Sequence, residues 1–194
     1  MTAIPTIYNG IQMRSRLEAT WAAVMDHYGI EWLYEPEAFK LSDGTMYLPD
    51  FYLPRANMIF EVKGLMTDVD MHKIEQWMRD TQRPAAIGYP DGKFSACDFG
   101  FTPSGKVNPD EPEIWDFDEN PHIILCSECG CVSFISIGCM AWRCPCCGIT
   151  SGDGWQVFLT HDTVGGALNE DFGIIPDFET FRPHYENRNW RQRT

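Results

Sequence analysis

The sequence predicts an α/β chain ordered helix, three strands, helix, strand, followed by a small β module built on cysteines. Three observations carry this. Two short apolar runs, Tyr47–Leu53 and Met58–Val62, are split by Pro54, Arg55, Ala56 and Asn57, the pattern of a hairpin. Stretches with apolar residues at helical spacing flank that hairpin on both sides. Further on, two CxxC pairs stand about fourteen residues apart.

In chain order, residues 1–13 read as a loose lead-in with Pro5 and Gly10 as breakers. A first helix is expected from about Ser15 to Tyr28, stopped by Gly29, with Leu17, Trp21, Val24, Met25 and Tyr28 on its buried face. Glu18 lies beside that face, where it can reach the sheet without being core. Residues 32–41 (WLYEPEAFKL) read as the first strand, and Ser42-Asp43-Gly44 as the turn into the next. Pro36 favours an edge position. After the hairpin, Thr67 or Asp68 can cap a second helix over residues 69–81, with Met71, Ile74, Trp77 and Met78 as its packing stripe. Residues 84–89 (PAAIGY) read as a last core strand. Residues 92–121, rich in Gly, Pro and acid, read as a loop-rich linker pinned by Trp115 and Phe117.

The 194 residues suit one ordinary domain with appendages, or two small domains. Apolar and charged fractions are those of a globular protein, and no run has the length of a membrane helix. With no basic-then-apolar leader pattern, the expectation is a cytoplasmic protein and no membrane partner. The formal net charge of -13 opposes generalised attraction to nucleic acid, which runs on Lys and Arg. Much of the acid, however, falls in residues 98–119.

Asp50 sits in the first arm of the hairpin, Glu61 and Lys63 at the end of the second. Side chains alternate along a strand, so Glu61 and Lys63 face one way and Val62 the other. A carboxylate and a lysine opposite an aspartate suit a hard divalent cation, which takes oxygen ligands and often only one or two protein carboxylates. Pro49-Asp50 followed by Glu61-Val62-Lys63, with Glu18 on the preceding helix, resembles the PD-(D/E)XK nuclease superfamily. The resemblance covers roughly the first half of the chain. It implies a restriction-endonuclease-like αβββαβ core and hydrolysis of DNA phosphodiesters with Mg²⁺ or Mn²⁺. It further implies Asp50, Glu61 and the Val62 carbonyl as metal ligands, Lys63 acting on the attacking water, and Glu18 supporting a second metal or a water. Relatives of this kind occur in phage and transposon systems of DNA processing, recombination and defence, which would place the protein in a host cytoplasm. They often cut as dimers.

Around this set, Glu37 and, less directly, Glu35 can approach the cluster from the adjoining strand, or form the solvent face of an edge. Arg14, Arg16 and Lys73 can meet phosphates, or be ordinary solvated cations. Arg182, Arg188, Arg191 and Arg193, interleaved with Tyr185 and Trp190, can hold nucleic acid by charge and stacking, or belong to a disordered tail.

Cys126, Cys129, Cys144 and Cys147 have the spacing of a structural zinc site, and each pair ends in a glycine that lets backbone amides fold over the sulfurs. Residues 132–137 read as a strand between the knuckles, and 155–160 as a possible third. The whole resembles a zinc ribbon, closed and structural. Cys131, Cys139 and Cys146 are spare, Cys97 is a lone thiol, and a disulfide cluster is the alternative. Arg143 is nearly the module's only cation, which favours stapling or protein contact over phosphate binding. The resulting division is a nuclease core over 1–95, an acidic linker over 96–121, a Cys₄ zinc ribbon over 122–160 and a tail over 161–194. Two further functions stand beside the DNA endonuclease, the first from another class. One is a binding or adaptor protein on a nuclease-like scaffold, contacting a partner through the ribbon or the acidic stretch. The other is a nuclease acting on RNA.

Overall fold

Five consecutive residues of strand β7, Met58–Val62, are all buried, because both faces of the sheet that holds it are covered. In the computed structural model the described residues are 3–101, 107–115, 121–126, 128–136, 144–148, 166–167, 175 and 177–183. They form a mixed α/β fold. The strands are β1 (Thr6–Tyr8), β2 (Ile11–Met13), β3 (Leu33–Tyr34), β4 (Phe39–Lys40), β5 (Met46–Tyr47), β6 (Phe51–Leu53), β7, β8 (Ala85–Gly88), β9 (Phe94–Phe101) and β10 (Val107–Trp115). Helix α1 (Arg16–Tyr28) precedes β3, and α2 (Asp68–Thr81) joins β7 to β8. The main sheet runs β10-β9-β8-β7-β6-β3. Only β7 and β8 pair in parallel, as the α2 crossover requires.

Both helices have the ends their sequences encode. Ser15 caps α1 by accepting from the Glu18 amide, and Gly29 closes it in the left-handed conformation. Thr67 and Asp70 form a reciprocal capping box on α2. Each helix buries its stripe on one sheet face. Trp21, Val24 and Met25 of α1 pack with Phe51, Leu53, Met58, Phe60 and Val62. Ile74, Trp77 and Met78 of α2 pack with Tyr47, Ile59, Ala85 and Ile87. Leu17, Tyr28 and Met71, at the margins of the two stripes, are half-buried.

Trp21 is the hub of the first core, with ring centroids 5.1 Å from Phe60 and 5.0 Å from Phe178. Its indole N–H donates to the Tyr89 carbonyl at 3.2 Å. Opposite it lies Gly88, where an added Cβ would come 2.7 Å from the Phe60 ring and nearer still to the indole. That close approach explains a glycine in a core strand.

Several expectations need correction. The expected loose lead-in holds a hairpin over residues 6–13: β1 and β2 pair antiparallel across a turn in which Asn9 and Gly10 both have positive φ. Residues 32–41 are not one strand. The chain breaks at Glu35, which has φ 42 and precedes Pro36, so β3 pairs with β6 while β4 leaves to pair with β5. The run 47–53 is likewise interrupted between β5 and β6, and Asp50 sits immediately before β6.

Where it is described, the acidic stretch is strand and not linker. β9 and β10 extend the sheet antiparallel beyond β8, and β10, with Pro109 and Pro112, takes the edge that proline tolerates. Nor does the cysteine module stand apart. β11 (Pro121–Leu125) pairs with β12 (Val132–Ser136) and with β13 (Gly166–Ala167). Ile123, Phe134 and Cys144 join the α1 core, and the Phe134 ring lies 4.6 Å from Phe60 and 5.3 Å from Phe94. The expected strand at 155–160 lies outside the described residues. No helix among the described residues is long and apolar enough to cross a membrane.

Candidate functional site

The antiparallel register that pairs Phe51 with Phe60 places Asp50 beside Glu61 and Val62. Asp50 and Glu61 are 3 % and 4 % exposed. They are locked by a reciprocal exchange: the Asp50 amide donates to Glu61 Oε2 at 3.2 Å, and the Val62 amide donates to Asp50 Oδ2 at 2.8 Å. Tyr47 adds its hydroxyl to Glu61 Oε2 at 2.9 Å. The remaining oxygens meet cations. Lys63 Nζ lies 2.7 Å from Glu61 Oε1 and 3.4 Å from Asp70 Oδ1, and Arg14 Nη2 lies 2.5 Å from Asp50 Oδ1. Glu61 and Lys63 thus share a face, as strand alternation predicts, while Val62 joins the α1 core.

Glu18 is 7 % exposed. It accepts from the Tyr34 hydroxyl at 2.6 Å, the Ser15 hydroxyl at 2.7 Å and the Arg14 amide at 3.1 Å. Glu35 stands 2.6 Å from Arg14 Nε as an ion pair, with its Oε1 off the line a hydrogen bond needs. Its backbone amide donates to the Asp50 carbonyl at 3.0 Å. The left-handed turn at Glu35 is what brings Tyr34 and Glu35 to the site.

Burial, reinforced by the charge of Glu61, pushes the Asp50 carboxyl up to about 7, and the Val62 amide and Lys63 do not offset it. Burial also opposes the Lys63 charge, yet Glu61, Asp50 and Asp70 together hold the ammonium above its usual range. The Tyr47 hydroxyl is held neutral by burial and by Glu61.

Of the acids and lysine read from the sequence, Asp50, Glu61 and Lys63 lie side by side, and Glu18 reaches them only by way of Arg14, whose amide it accepts and whose guanidinium meets Asp50. Arg14, expected as a phosphate contact or a solvated cation, bridges Asp50 and Glu35 while its side chain stays 57 % exposed. Glu37 is exposed between β3 and β4 and takes no part in the network. Arg16 and Lys73 are half-buried. Arg182 pairs with Glu179 at 2.6 Å. Arg188, Arg191 and Arg193 lie outside the described residues. Tyr34 and Tyr47 went unrecognised, although each lies within three residues of a predicted acid, Glu35 or Asp50.

The second constellation is sulfur. Cys126, Cys129, Cys144 and Cys147 have their Sγ atoms within 4.8 Å of one another. Cys126 and Cys147 are 3.8 Å apart, and Cys129 and Cys144 are 3.7 Å apart. A tetrahedron with metal–sulfur bonds of about 2.3 Å has edges of about 3.8 Å, so the four thiols can hold a metal such as zinc. The two turns match. Gly130 and Gly148 have positive φ and donate to the carbonyls of Cys126 and Cys144 at 2.8 and 2.9 Å. Cys131 and Cys146, expected as spare, are joined as a disulfide. The carboxylates are sparser. Glu18 does not close on Asp50 and Glu61 at comparable spacing, so those two form a pair rather than a triad.

No protein-family model matches this chain, and no curated protein matches it.

Proposed function

We propose that the protein is a metal-dependent DNA endonuclease of the PD-(D/E)XK type, with a zinc ribbon as a structural element. The observation that carries this reading is the Asp50–Glu61–Lys63 arrangement: two buried carboxylates at adjacent strand ends, with an ammonium 2.7 Å from one of them. Within the main sheet the order α1, β3, β6, β7, α2, β8, with the separate β4–β5 hairpin inserted between β3 and β6, supports the same reading.

Asp50 Oδ1 and Glu61 Oε1 meet only side-chain cations that can be exchanged, while their other oxygens are fixed by backbone amides. This donor set fits a hard divalent ion. Asp50, Glu61 and the Val62 carbonyl would hold Mg²⁺ or Mn²⁺, which when bound supplies Lewis-acid stabilisation of charge on the phosphate. Lys63, held as an ammonium by Glu61, Asp50 and Asp70, orients the attacking water. Glu18, fixed by three donors, positions a further water or ion. Tyr47 fixes the rotamer of Glu61. The closed Cys₄ set has no open position and is structural. DNA is the partner. A protein bound through the ribbon, and a second copy for cutting both strands, belong to the same proposal.

The test uses purified protein with Mn²⁺ on supercoiled, linear, branched and single-stranded DNA and on RNA. Wild type should cleave a DNA class, and Lys63→Ala and Asp50→Ala should each lose about 10²–10⁴-fold with the thermal melt retained. Unaltered cleavage in both variants would defeat the assignment. No cleavage of any substrate by wild type would favour the adaptor function.

A further inference from the structure

Arg14 stands where a metal would have to come. Its Nη2 is on Asp50 Oδ1 at 2.5 Å and its Nε is 2.6 Å from Glu35 Oε1. Asp50 Oδ2 is already taken by the Val62 amide, so Oδ1 is the oxygen left for a metal. Arg14 and a divalent ion therefore compete for one atom.

The two halves of Arg14 are held differently. Its backbone amide is fixed by Glu18 Oε2 at 3.1 Å and the Tyr34 hydroxyl at 2.9 Å. Its side chain is 57 % exposed, against 5 % for Asp50. A displaced guanidinium would stay tethered at the rim, facing solvent. There its planar fork suits a phosphate.

Resting on the nuclease reading, we propose that Arg14 is a displaceable counter-ion. It neutralises Asp50 while the metal is away, and metal entry frees it to grip a phosphate of the DNA. Metal and DNA then assist each other, since each stabilises the arrangement the other needs. The same device restrains the acidic site from taking metal when no substrate is present.

The test measures Mn²⁺ binding to zinc-loaded, DNA-free protein by titration calorimetry, apart from any cleavage. Arg14→Gln should bind Mn²⁺ about tenfold tighter than wild type, the scale of a half-exposed ion pair removed. Arg14→Lys should fall between the two and covers the case in which the glutamine variant does not fold. Arg79→Gln, which removes a cation paired with Glu75 and not touching Asp50, should bind as wild type does. Adding Asp50→Asn to Arg14→Gln should abolish the gain. On a short DNA duplex with Ca²⁺, Arg14→Gln should bind several-fold more weakly and with a salt slope smaller by about one.

Unchanged or weaker Mn²⁺ affinity in Arg14→Gln and Arg14→Lys would overturn the competition. Tighter Mn²⁺ with undiminished DNA affinity would overturn the handover to phosphate. Absence of Mn²⁺ binding in wild type and Arg14→Gln alike would instead remove the nuclease reading beneath both.

Discussion

Asp50 carries a carboxyl group shielded from water beside a second carboxyl, and this has a consequence for stability. Its pKa of about 7 in the fold stands above the ordinary value of 3.8, chiefly through burial and then through Glu61. The folded chain therefore keeps a proton that the unfolded chain has already released. Between about pH 4 and pH 7 folding is opposed more strongly as pH rises, and above that window the opposition is complete. Asparagine at this position does not titrate. Asp50→Asn should thus gain stability relative to wild type as pH climbs, by on the order of 2 kcal/mol across the window once the Arg14 ion pair is allowed for. Urea denaturation at several pH values, without added Mg²⁺ or Mn²⁺, checks this. Parallel pH profiles for the two proteins would refute it. At this scale the charged set was legible because Asp50, Glu61 and Lys63 lie within one hairpin and register follows from the turn. Tyr34 and Tyr47 were not, because their hydroxyls reach the acids only through strand breaks at Glu35 and between β5 and β6. Those breaks are tertiary choices that no local periodicity announces.

At the scale of elements, β7 and β8 set the frame for the site. The Lys63 amide donates to the Gly88 carbonyl at 3.0 Å, so the strand pairing that seats the lysine passes through a glycine pressed against Trp21 and Phe60. Gly88→Ala should cost about 1–3 kcal/mol through overpacking and should also lower cleavage by shifting Lys63. Denaturation curves and cleavage rates measure the two effects. A loss of stability below about 0.5 kcal/mol would mean that the indole moves aside and the frame is softer than its packing indicates. Both helices and the strands β7 and β8 were readable from capping residues and apolar spacing. The pair β9–β10 was not. Its prolines and acids lower strand propensity everywhere except at an edge, and only the completed sheet makes residues 107–115 an edge.

At the scale of the molecule, the cysteine module and the main sheet share one core. Phe134 of β12 packs against Trp21, Phe60 and Phe94, and Arg55, in the β6–β7 turn, donates to the Cys129 carbonyl at 3.1 Å. The hairpin that presents Asp50 and Glu61 therefore leans on the knuckle that presents Cys129. A metal held by the four thiols contributes folding energy to whatever is packed against it. Chelation should consequently unsettle the sheet and not the module alone. With the Cys131–Cys146 bond reduced at the same time, so that no covalent tie holds the two turns, removal of zinc should lower the melting temperature by about 10 °C or more. Trp21 is fully buried between the two parts, and the near-ultraviolet signal to which it contributes should weaken with metal loss. Replacement of Cys144 by serine should reproduce both changes without a chelator. Calorimetry distinguishes the alternatives: a single transition that moves with zinc occupancy requires one cooperative unit. A high transition left unmoved beside a lost low one would make the module an independent appendage, with no bearing on the site.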